Sequence, residues 1–267
     1  MRCVFPNDLE GCAWHTVCSY GASPRPKTEV ALAARRASLA SKCHSGSVSI
    51  HAGPLTADRL RAAERATMRH VGESILMDRA ADAVAAEAVR VITARRGSAD
   101  GARVIILAGS GNNGGDALLA GARLRRAGAE VTALLVGDDV HIRGETALIA
   151  AGGAIIDAGP QTREAHAVML HADAVVDGIV GLGARPGLRP PADELVAAIP
   201  QAAVVIAVDI PSGLEADSPK ADEAHVHADV TVTFTAPKVC LLHLPAAASA
   251  GRVLIVDIGV VLEPDGA

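Results

Sequence analysis

The stretch Gly109-Ser110-Gly111-Asn112-Asn113-Gly114-Gly115-Asp116 decides the predicted fold of this chain. It follows an apolar run at residues 104–108, which is typical of a strand buried on both faces, and it precedes a helical pattern at residues 117–126. A glycine-rich turn of this kind gathers free backbone N–H groups at the positive end of a helix dipole, where phosphate binds well. The turn also fits G-x-G-x-x-G, a dinucleotide fingerprint that is weak when it stands alone.

From residue 103 onward, apolar strand patterns alternate with helical patterns, which predicts an α/β fold, doubly wound around a mostly parallel sheet. Two helices precede the sheet, the first capped by Thr56 and the second running from near Ser74 to just before Gly97. The predicted strands are residues 104–108, 130–136, 154–156, 174–180, 204–209, 230–234 and 253–257. The predicted later helices are residues 115–126, 144–151, 162–171 and 193–198.

The chain divides into a poorly ordered leader at residues 1–53, a single domain at residues 54–262 and a short tail at residues 263–267. The leader holds four of the five cysteines, and their spacing matches no common zinc pattern. We therefore interpret Cys3, Cys12, Cys18, Cys43 and Cys240 as free thiols, as expected for a cytoplasmic protein.

Composition excludes several classes of function. Only four of the 267 residues are aromatic, so binding of single-stranded nucleic acid by base stacking is not expected. The net charge of −5 gives no general attraction for polyanions, so we expect no nucleic-acid partner. No apolar run approaches the roughly 20 residues needed to span a bilayer, so we expect no membrane partner.

Four predicted strands end in polar residues, glycine turns or a lysine. Because ligands of doubly wound folds bind outside the carboxyl ends of the strands, these groups are expected at one rim. They are Asn112, Asn113 and Asp116 after the first strand, Asp177 and the glycine loop at residues 181–187 after another, Asp209 and Ser212 after the next, and Lys238 after a further one.

Asp209 follows the apolar run at residues 204–208, so we expect its carboxylate at the pocket, with a partly apolar wall behind it, where it could act as a general acid or base. The alternative is a turn cap, because Pro-Ser-Gly follows directly. Asp177 stands at the equivalent place on another strand, so the two carboxylates could face each other across the site. The oxygens of Asn113, Asp177 and Ser212 suit a hard monovalent cation and are too poor in charge for a strong Mg²⁺ or Ca²⁺ site.

Two further features of the sequence give no indication of a catalytic site. His225 and His227 are interpreted as ordinary surface histidines, and the sequence contains no G-x-S-x-G nucleophile motif.

Four motifs in order resemble the NAD(P)H-hydrate epimerases, the family of the YjeF N-terminal domain. They are G-x-G-N-N-G-G-D at residues 109–116, V-V-D-x-x-x-G-x-G at 175–183, V-D-I-P-S-G-L at 208–214 and T-V-T-F-x-x-P-K at 231–238. The likeness covers roughly residues 54–260. It implies a Rossmann-like fold and an isomerase that interconverts the R and S epimers of NADH or NADPH hydrated at C6 of the nicotinamide ring.

Carried over residue by residue, the resemblance implies a substrate-binding set, a catalytic Asp209 that also contacts the substrate, and a potassium ion held by Asn113, Asp177 and Ser212. The substrate-binding set comprises Asn112, Asn113, Gly114, Gly115, Asp116, Gly181, Leu182, Gly183, Ala184, Arg185, Pro186, Gly187 and Asp209. Arg185 or Lys238 would neutralise phosphate or assist proton transfer. The resemblance further implies a homodimer and functional coupling to a separate dehydratase that restores the cofactor from the S epimer.

The sequence departs from the family pattern at three positions, where Ala117 and Ala81 replace usual glycines and Leu182 replaces a common threonine. Two other functions are compatible with parts of the sequence. One is an NAD(P)-dependent oxidoreductase with Asp138 or Asp139 binding the ribose, and the other is a non-catalytic ligand-binding or dimerisation module. We expect either a stand-alone epimerase or the front part of a bifunctional protein.

Overall fold

A computed structural model describes residues 53–159, 162–183 and 185–262. The predicted leader apart from Gly53, its four cysteines, Ala184 and the predicted tail lie outside these residues. The two leading helices are confirmed as α1, Ala57–Val71, and α2, Glu73–Arg96. Thr56 caps α1 as predicted, since its side chain accepts a hydrogen bond from the backbone N–H of Arg59 at 3.4 Å. No helix in the described ranges is long and apolar enough to cross a membrane.

Seven strands form one sheet in the order β3-β2-β1-β4-β5-β6-β7, and all six neighbouring pairs are parallel. The chain reverses its direction across the sheet between β1 and β4, which is the place where doubly wound folds bind ligands. The strands are β1 Arg103–Ala108, β2 Glu130–Leu135, β3 Ala154–Asp157, β4 Ala174–Gly178, β5 Val204–Val208, β6 Val230–Phe234 and β7 Arg252–Val256. The later helices are α3 Asn112–Arg126, α4 Ile142–Ala150, α5 Thr162–Met169, α6 Ala192–Ala197 and α7 Val239–Leu242, with a 3-10 turn at Ala246–Ser249.

The side chains of β1 alternate between two apolar cores. Val104 and Ile106 pack in a cluster with residues of α2, α3 and α4, whereas Ile105 and Leu107 pack with residues of α5 and α6. Burial of both faces explains the unbroken apolar run, and each fully buried side chain of this size contributes about 2 kcal/mol from the hydrophobic effect. The predicted doubly wound architecture is therefore confirmed.

Several predicted boundaries differ from the structure by one to three residues, and three of them concern the candidate site. We predicted that β4 and β5 extend to residues 180 and 209, but they end at Gly178 and Val208. Asp209 has a φ of 70°, which no strand residue adopts. Helix α3 begins at Asn112 rather than at residue 115, directly after Gly111, whose φ of 81° turns the chain into the helix.

Candidate active site

A cavity of about 490 Å³ opens where β1, β4 and β5 end, and α1 provides a further wall. Its lining combines acidic side chains, two arginines and a small apolar part. The lining residues are Arg61, Glu64, Arg65, Met68, Glu73, Ser110, Asn112, Asn113, Asp116, Val180, Gly181, Leu182, Gly183, Asp209 and Phe234. The cavity therefore lies at the rim that the sequence predicts.

The first turn of α3 provides the polar groups of the first wall. The side-chain amide of Asn112 donates a hydrogen bond to Glu73 Oε1 at 2.9 Å. The buried Nδ2 of Asn113 and the buried Oδ1 of Asp116 have no hydrogen-bond partner. Burial raises the pKa of the Asp116 carboxyl well above its usual range, and the charges of Asp209 and Glu64 raise it further. This wall thus holds polar atoms that a bound polar ligand could satisfy.

Gly114 and Gly115 belong to the same turn but do not line the cavity. A Cβ on Gly114 would lie 2.0 Å from the carbonyl oxygen of Gly109, and one on Gly115 would lie 2.6 Å from the side chains of His141 and Met77. These two glycines allow α3 to approach its neighbours closely, which is a packing role rather than a direct contact with the cavity.

Asp209 forms a buried ion pair with Lys238. Lys238 Nζ donates to Asp209 Oδ1 at 2.5 Å, to Thr233 Oγ1 at 2.8 Å and to the carbonyl oxygen of Phe234 at 3.1 Å, so all three of its protons are used. Lys238 is 1% exposed. The sequence suggests a partly apolar wall behind Asp209, and the structure places an ammonium group there instead. Asp209 Oδ2 lies near Gly181, where a Cβ would approach it to 3.0 Å.

Asp177 lies beneath the rim and does not line the cavity, so it does not face Asp209 across the site as the sequence suggests. It is fully buried, with Oδ1 accepting from Ser212 Oγ at 2.6 Å and Oδ2 from the backbone N–H of Ser212 at 2.8 Å. Burial raises its pKa to about 6, and hydrogen bonds from Ser212 and Ile179 oppose that rise. The structure therefore brings Asp177 and Ser212 into direct contact, below the cavity rather than in its lining.

The predicted binding loop at residues 181–187 divides into two parts. Gly181, Leu182 and Gly183 line the cavity, whereas Arg185, Pro186 and Gly187 do not. The backbone N–H of Gly187 donates to the carbonyl oxygen of Gly213 at 2.9 Å, and Pro186 lines a separate depression. Ala184 lies outside the described residues.

The α1 wall was missed by the sequence analysis. Its cavity residues, Arg61, Glu64, Arg65 and Met68, are spaced i, i+3, i+4 and i+7, so they share one face of the helix. The spacing is visible in the sequence, but a charged face of a surface helix usually faces solvent, so the pattern alone gives no reason to expect a site.

Other groups named from the sequence lie away from the cavity. Asp138 and Asp139, considered for ribose binding, are exposed and do not line it. His225 and His227 are at the surface, with rings 4.6 Å apart and both hydrogen-bonded to Ser249 Oγ. Burial raises the pKa of the Cys240 thiol to about 12, so this free cysteine is unreactive at neutral pH.

The chain is similar to proteins of one family. A family profile described as YjeF-related protein N-terminus matches residues 73–240. The NAD(P)H-hydrate epimerase of Clavibacter michiganensis subsp. michiganensis is 40% identical over 197 residues, covering 70% of this chain and 86% of that protein. The bifunctional NAD(P)H-hydrate repair enzyme Nnr of Mycobacterium tuberculosis is 40% identical over 204 residues, covering 76% of this chain but only 40% of that protein.

The solved structure of the yeast protein ynu0, YNL200c, has a TM-score of 0.63 to this chain at 20% identity, and the match covers 79% of this chain and 90% of that one. At that identity the likeness bears on the fold alone, and it agrees with the doubly wound sheet described above.

Proposed function

The chain belongs to the family of YjeF-related protein N-termini, and from this premise we propose that it is an NAD(P)H-hydrate epimerase. It would interconvert the R and S epimers of NADH and NADPH hydrated at C6 of the nicotinamide ring. The observation that supports this most directly is the composition of one cavity. There the ion-paired Asp209 lies together with the unpartnered polar atoms of Asn113 and Asp116 at the start of α3. The epimerase relative from Clavibacter, matched over most of its length, supports the same reaction.

The cavity offers groups suited to a hydrated dinucleotide. Helix α3 begins at the cavity, so its N-terminal backbone and dipole favour a phosphate there. Arg61 and Arg65 add positive charge from α1. The free Nδ2 of Asn113 can donate to a substrate oxygen. These groups fit a phosphate-bearing, oxygen-rich ligand.

Asp209 has the position and the partners of an acid/base residue. Epimerisation at C6 requires a proton to be delivered to an oxygen atom and another to be removed, whether the hydroxyl leaves and returns or the ring opens and closes. Lys238 and Thr233 contact Asp209 Oδ1, so Oδ2 is the oxygen left to face the substrate. Lys238 is a positioning residue, because its ammonium is fully used by protein groups.

The residues below the rim fit a potassium ion. Asp177 is fully buried, and no lysine or arginine of the described residues acts on its charge. The carbonyl oxygen of Val180 lies 3.1 Å from Ser212 Oγ, and Asn113 Oδ1 lies near the adjacent Gly181. These are hard oxygen donors with one formal charge, which suits a monovalent cation. Asn113, Asp177 and Ser212 would hold it, and the ion would compensate the buried charge and fix the loop after β4.

The repair context also belongs to this proposal. The Nnr relatives from Mycobacterium are bifunctional repair enzymes, and the chain spans about 40% of their length. An S-specific dehydratase, on the same chain or a separate one, would consume the product. We further propose a homodimer in the cytoplasm, as expected from the resemblance and from the free thiols of the sequence.

The test supplies pure R-hydrate of NADH together with an excess of an S-specific dehydratase and follows the recovery of NADH absorbance. The wild-type chain is expected to accelerate recovery well above spontaneous epimerisation, and K⁺ is expected to increase the rate further. Asp209→Asn is expected to lower kcat by roughly 10²-fold or more, because it removes the proton acceptor. Choline chloride at the same ionic strength is the control for K⁺.

Each arm can contradict a different part of the proposal. No acceleration by the wild type overturns the epimerase function, and hydride exchange with a reducible substrate would favour an oxidoreductase instead. An unchanged rate in Asp209→Asn overturns the role of Asp209 alone. Equal rates in potassium and choline overturn the role of the cation.

A further inference from the structure

Helix α1 is held firmly over the rim of the sheet. The backbone N–H of Ala57 donates to Asp217 Oδ1 at 2.8 Å, and that of Leu55 donates to the carbonyl oxygen of Pro237 at 3.2 Å. Leu60 is fully buried and packs with Leu55 and Ala236. These contacts tie α1 to the loops that follow β5 and β6, so its cavity-facing side chains have a fixed place in the site.

Glu64 is the acidic residue of that face. It is half-buried, lines the same cavity as Asp209, and is flanked on its own helix by Arg61 and Arg65. Burial raises the pKa of the Glu64 carboxyl to about 7, and the charge of Asp209 raises it further, while Lys238 and the two arginines oppose the rise. Near neutral pH this carboxyl is therefore partly protonated and able to donate a proton.

Inversion at C6 places a geometric demand on the site. In the route where the hydroxyl leaves and returns, water leaves one face of the ring and adds to the other face, so proton donor and proton acceptor are needed on different sides of the substrate. Asp209 follows β5, and Lys238 contacts its Oδ1, so Oδ2 is the oxygen that can exchange a proton with the substrate on that side. Glu64 comes from α1, a different wall of the cavity.

We propose that Glu64 is a second catalytic residue of this site, which acts as the general acid opposite the general base Asp209. The inference rests on the proposed epimerase function and extends it. It assigns the two proton transfers to two side chains on different structural elements, in place of one carboxylate that serves both.

The step balances without any oxidant or reductant. Glu64 gives its proton to the C6 hydroxyl, the C6–O bond breaks with its electron pair moving to oxygen, and the lone pair of N1 forms an N1=C6 double bond as water leaves. A water molecule then adds its oxygen to the opposite face of C6, the N1=C6 pair returns to N1, and Asp209 Oδ2 takes the proton lost by that water. The proton gained by Asp209 exchanges with solvent, and Glu64 is reprotonated from solvent.

The test measures kcat and KM for R-hydrate between pH 5.5 and 9 in the coupled assay, for wild type, Glu64→Gln and Glu64→Asp. The wild-type kcat is expected to fall as pH rises through about 7, because the protonated form of Glu64 is required. Glu64→Gln is expected to lower kcat at pH 6.5 by roughly 10²-fold, with KM changed less than about threefold, and to lose the fall above pH 7. Glu64→Asp is expected to recover part of kcat and the pH-dependent fall.

The control is Glu164→Gln, an exposed carboxyl on α5 that does not line the cavity, and it is expected to match the wild type. A Glu64→Gln variant with wild-type kcat overturns the inference while the epimerase function stands. A fall above pH 7 that persists in Glu64→Gln belongs to another group, such as Asp116, and also overturns it. Equal losses in Glu64→Gln and Glu64→Asp indicate a structural role and overturn it. A wild type without activity overturns the proposed function instead.

Discussion

Asp177 lies near the end of β4 and Asp209 directly follows the neighbouring strand β5, yet the protein surrounds them in opposite ways. Asp209 receives a lysine ammonium at 2.5 Å and keeps one oxygen towards the cavity. Asp177 is fully buried and receives hydrogen bonds from a hydroxyl group and backbone amides only. In the sequence each is a single acidic residue directly after an apolar run. The difference between them therefore comes from the side chains and backbone groups that the fold places next to each carboxylate.

The comparison separates two ways of holding a buried negative charge. A dedicated ammonium neutralises the charge of Asp209 and fixes its orientation, as the proposed acid/base role requires. Backbone and hydroxyl dipoles hold Asp177 without neutralising it, which leaves the charge available to a cation. Substitutions that change one partner at a time test whether the two environments respond differently.

The largest effect is expected from Lys238→Met. Removal of the ammonium leaves the buried Asp209 carboxylate with only Thr233 as a side-chain donor, at 3.3 Å. Breaking a buried ion pair from one side costs about 3 to 5 kcal/mol, so urea unfolding should show a loss of that order in the free energy of unfolding. The double variant Asp209→Asn/Lys238→Met should recover at least half of the loss, because no unpaired charge remains.

The matched control is Lys220→Met, which removes an exposed lysine and should change the free energy of unfolding by less than about 0.5 kcal/mol. If Lys238→Met is no less stable than Lys220→Met, the ion pair does not hold Asp209 in place. If the double variant is no more stable than Lys238→Met, the cost arises from lost packing rather than from the unpaired charge.

A smaller effect on stability, but a specific effect on the cation response, is expected from Asp177→Asn. The amide keeps one acceptor oxygen for Ser212 but directs an NH₂ group at a backbone donor, which costs about 2 kcal/mol in unfolding free energy. The formal charge is lost, so stimulation of epimerisation by K⁺ should disappear. Activity in potassium and choline chloride, measured in parallel, checks this, and a preserved potassium response would assign the cation to other residues.

The fold could be predicted from sequence because its causes are local. Residues 204–208 and 230–234 are continuous runs of apolar or β-branched residues, and every residue of both strands is buried. A strand that is buried on both faces can therefore be recognised from such a run in the sequence alone. The end of a buried strand also predicts which polar residues reach the rim. On that basis the sequence predicts Asp209, Asn112, Asn113 and Asp116 at the rim, and all four line the cavity.

The partners of these residues could not be predicted, because they depend on tertiary contacts. Asp209 and Lys238 are 29 residues apart and meet only because β5 lies beside β6. Glu64 belongs to a helix whose charged face has the pattern of a solvated surface, and only the packing of α1 over the rim brings it to the cavity. The start of α3 at Asn112 depends on the positive φ of Gly111, which glycine permits but does not require.

The smallest effect is expected from Gly181→Ala, at the point where the two environments come closest. A Cβ at this position would lie 3.0 Å from Asp209 Oδ2 and 2.9 Å from Asn113 Oδ1, so both side-chain tips must shift by a few tenths of an ångström. We expect kcat/KM to fall by about tenfold, because small displacements of reacting groups are costly, while the free energy of unfolding changes by less than about 1 kcal/mol. Gly53→Ala, which meets no atom within 4 Å, is the control. The added methyl group would contact both Asp209 and the predicted cation ligand Asn113. If the response to potassium is lost but kcat at saturating potassium is unchanged, the methyl group disturbs the cation ligands alone. If kcat falls but the response to potassium is normal, the methyl group disturbs Asp209 alone. Either result would show that the surroundings of Asp209 and of the predicted cation site respond independently, although both lie next to Gly181.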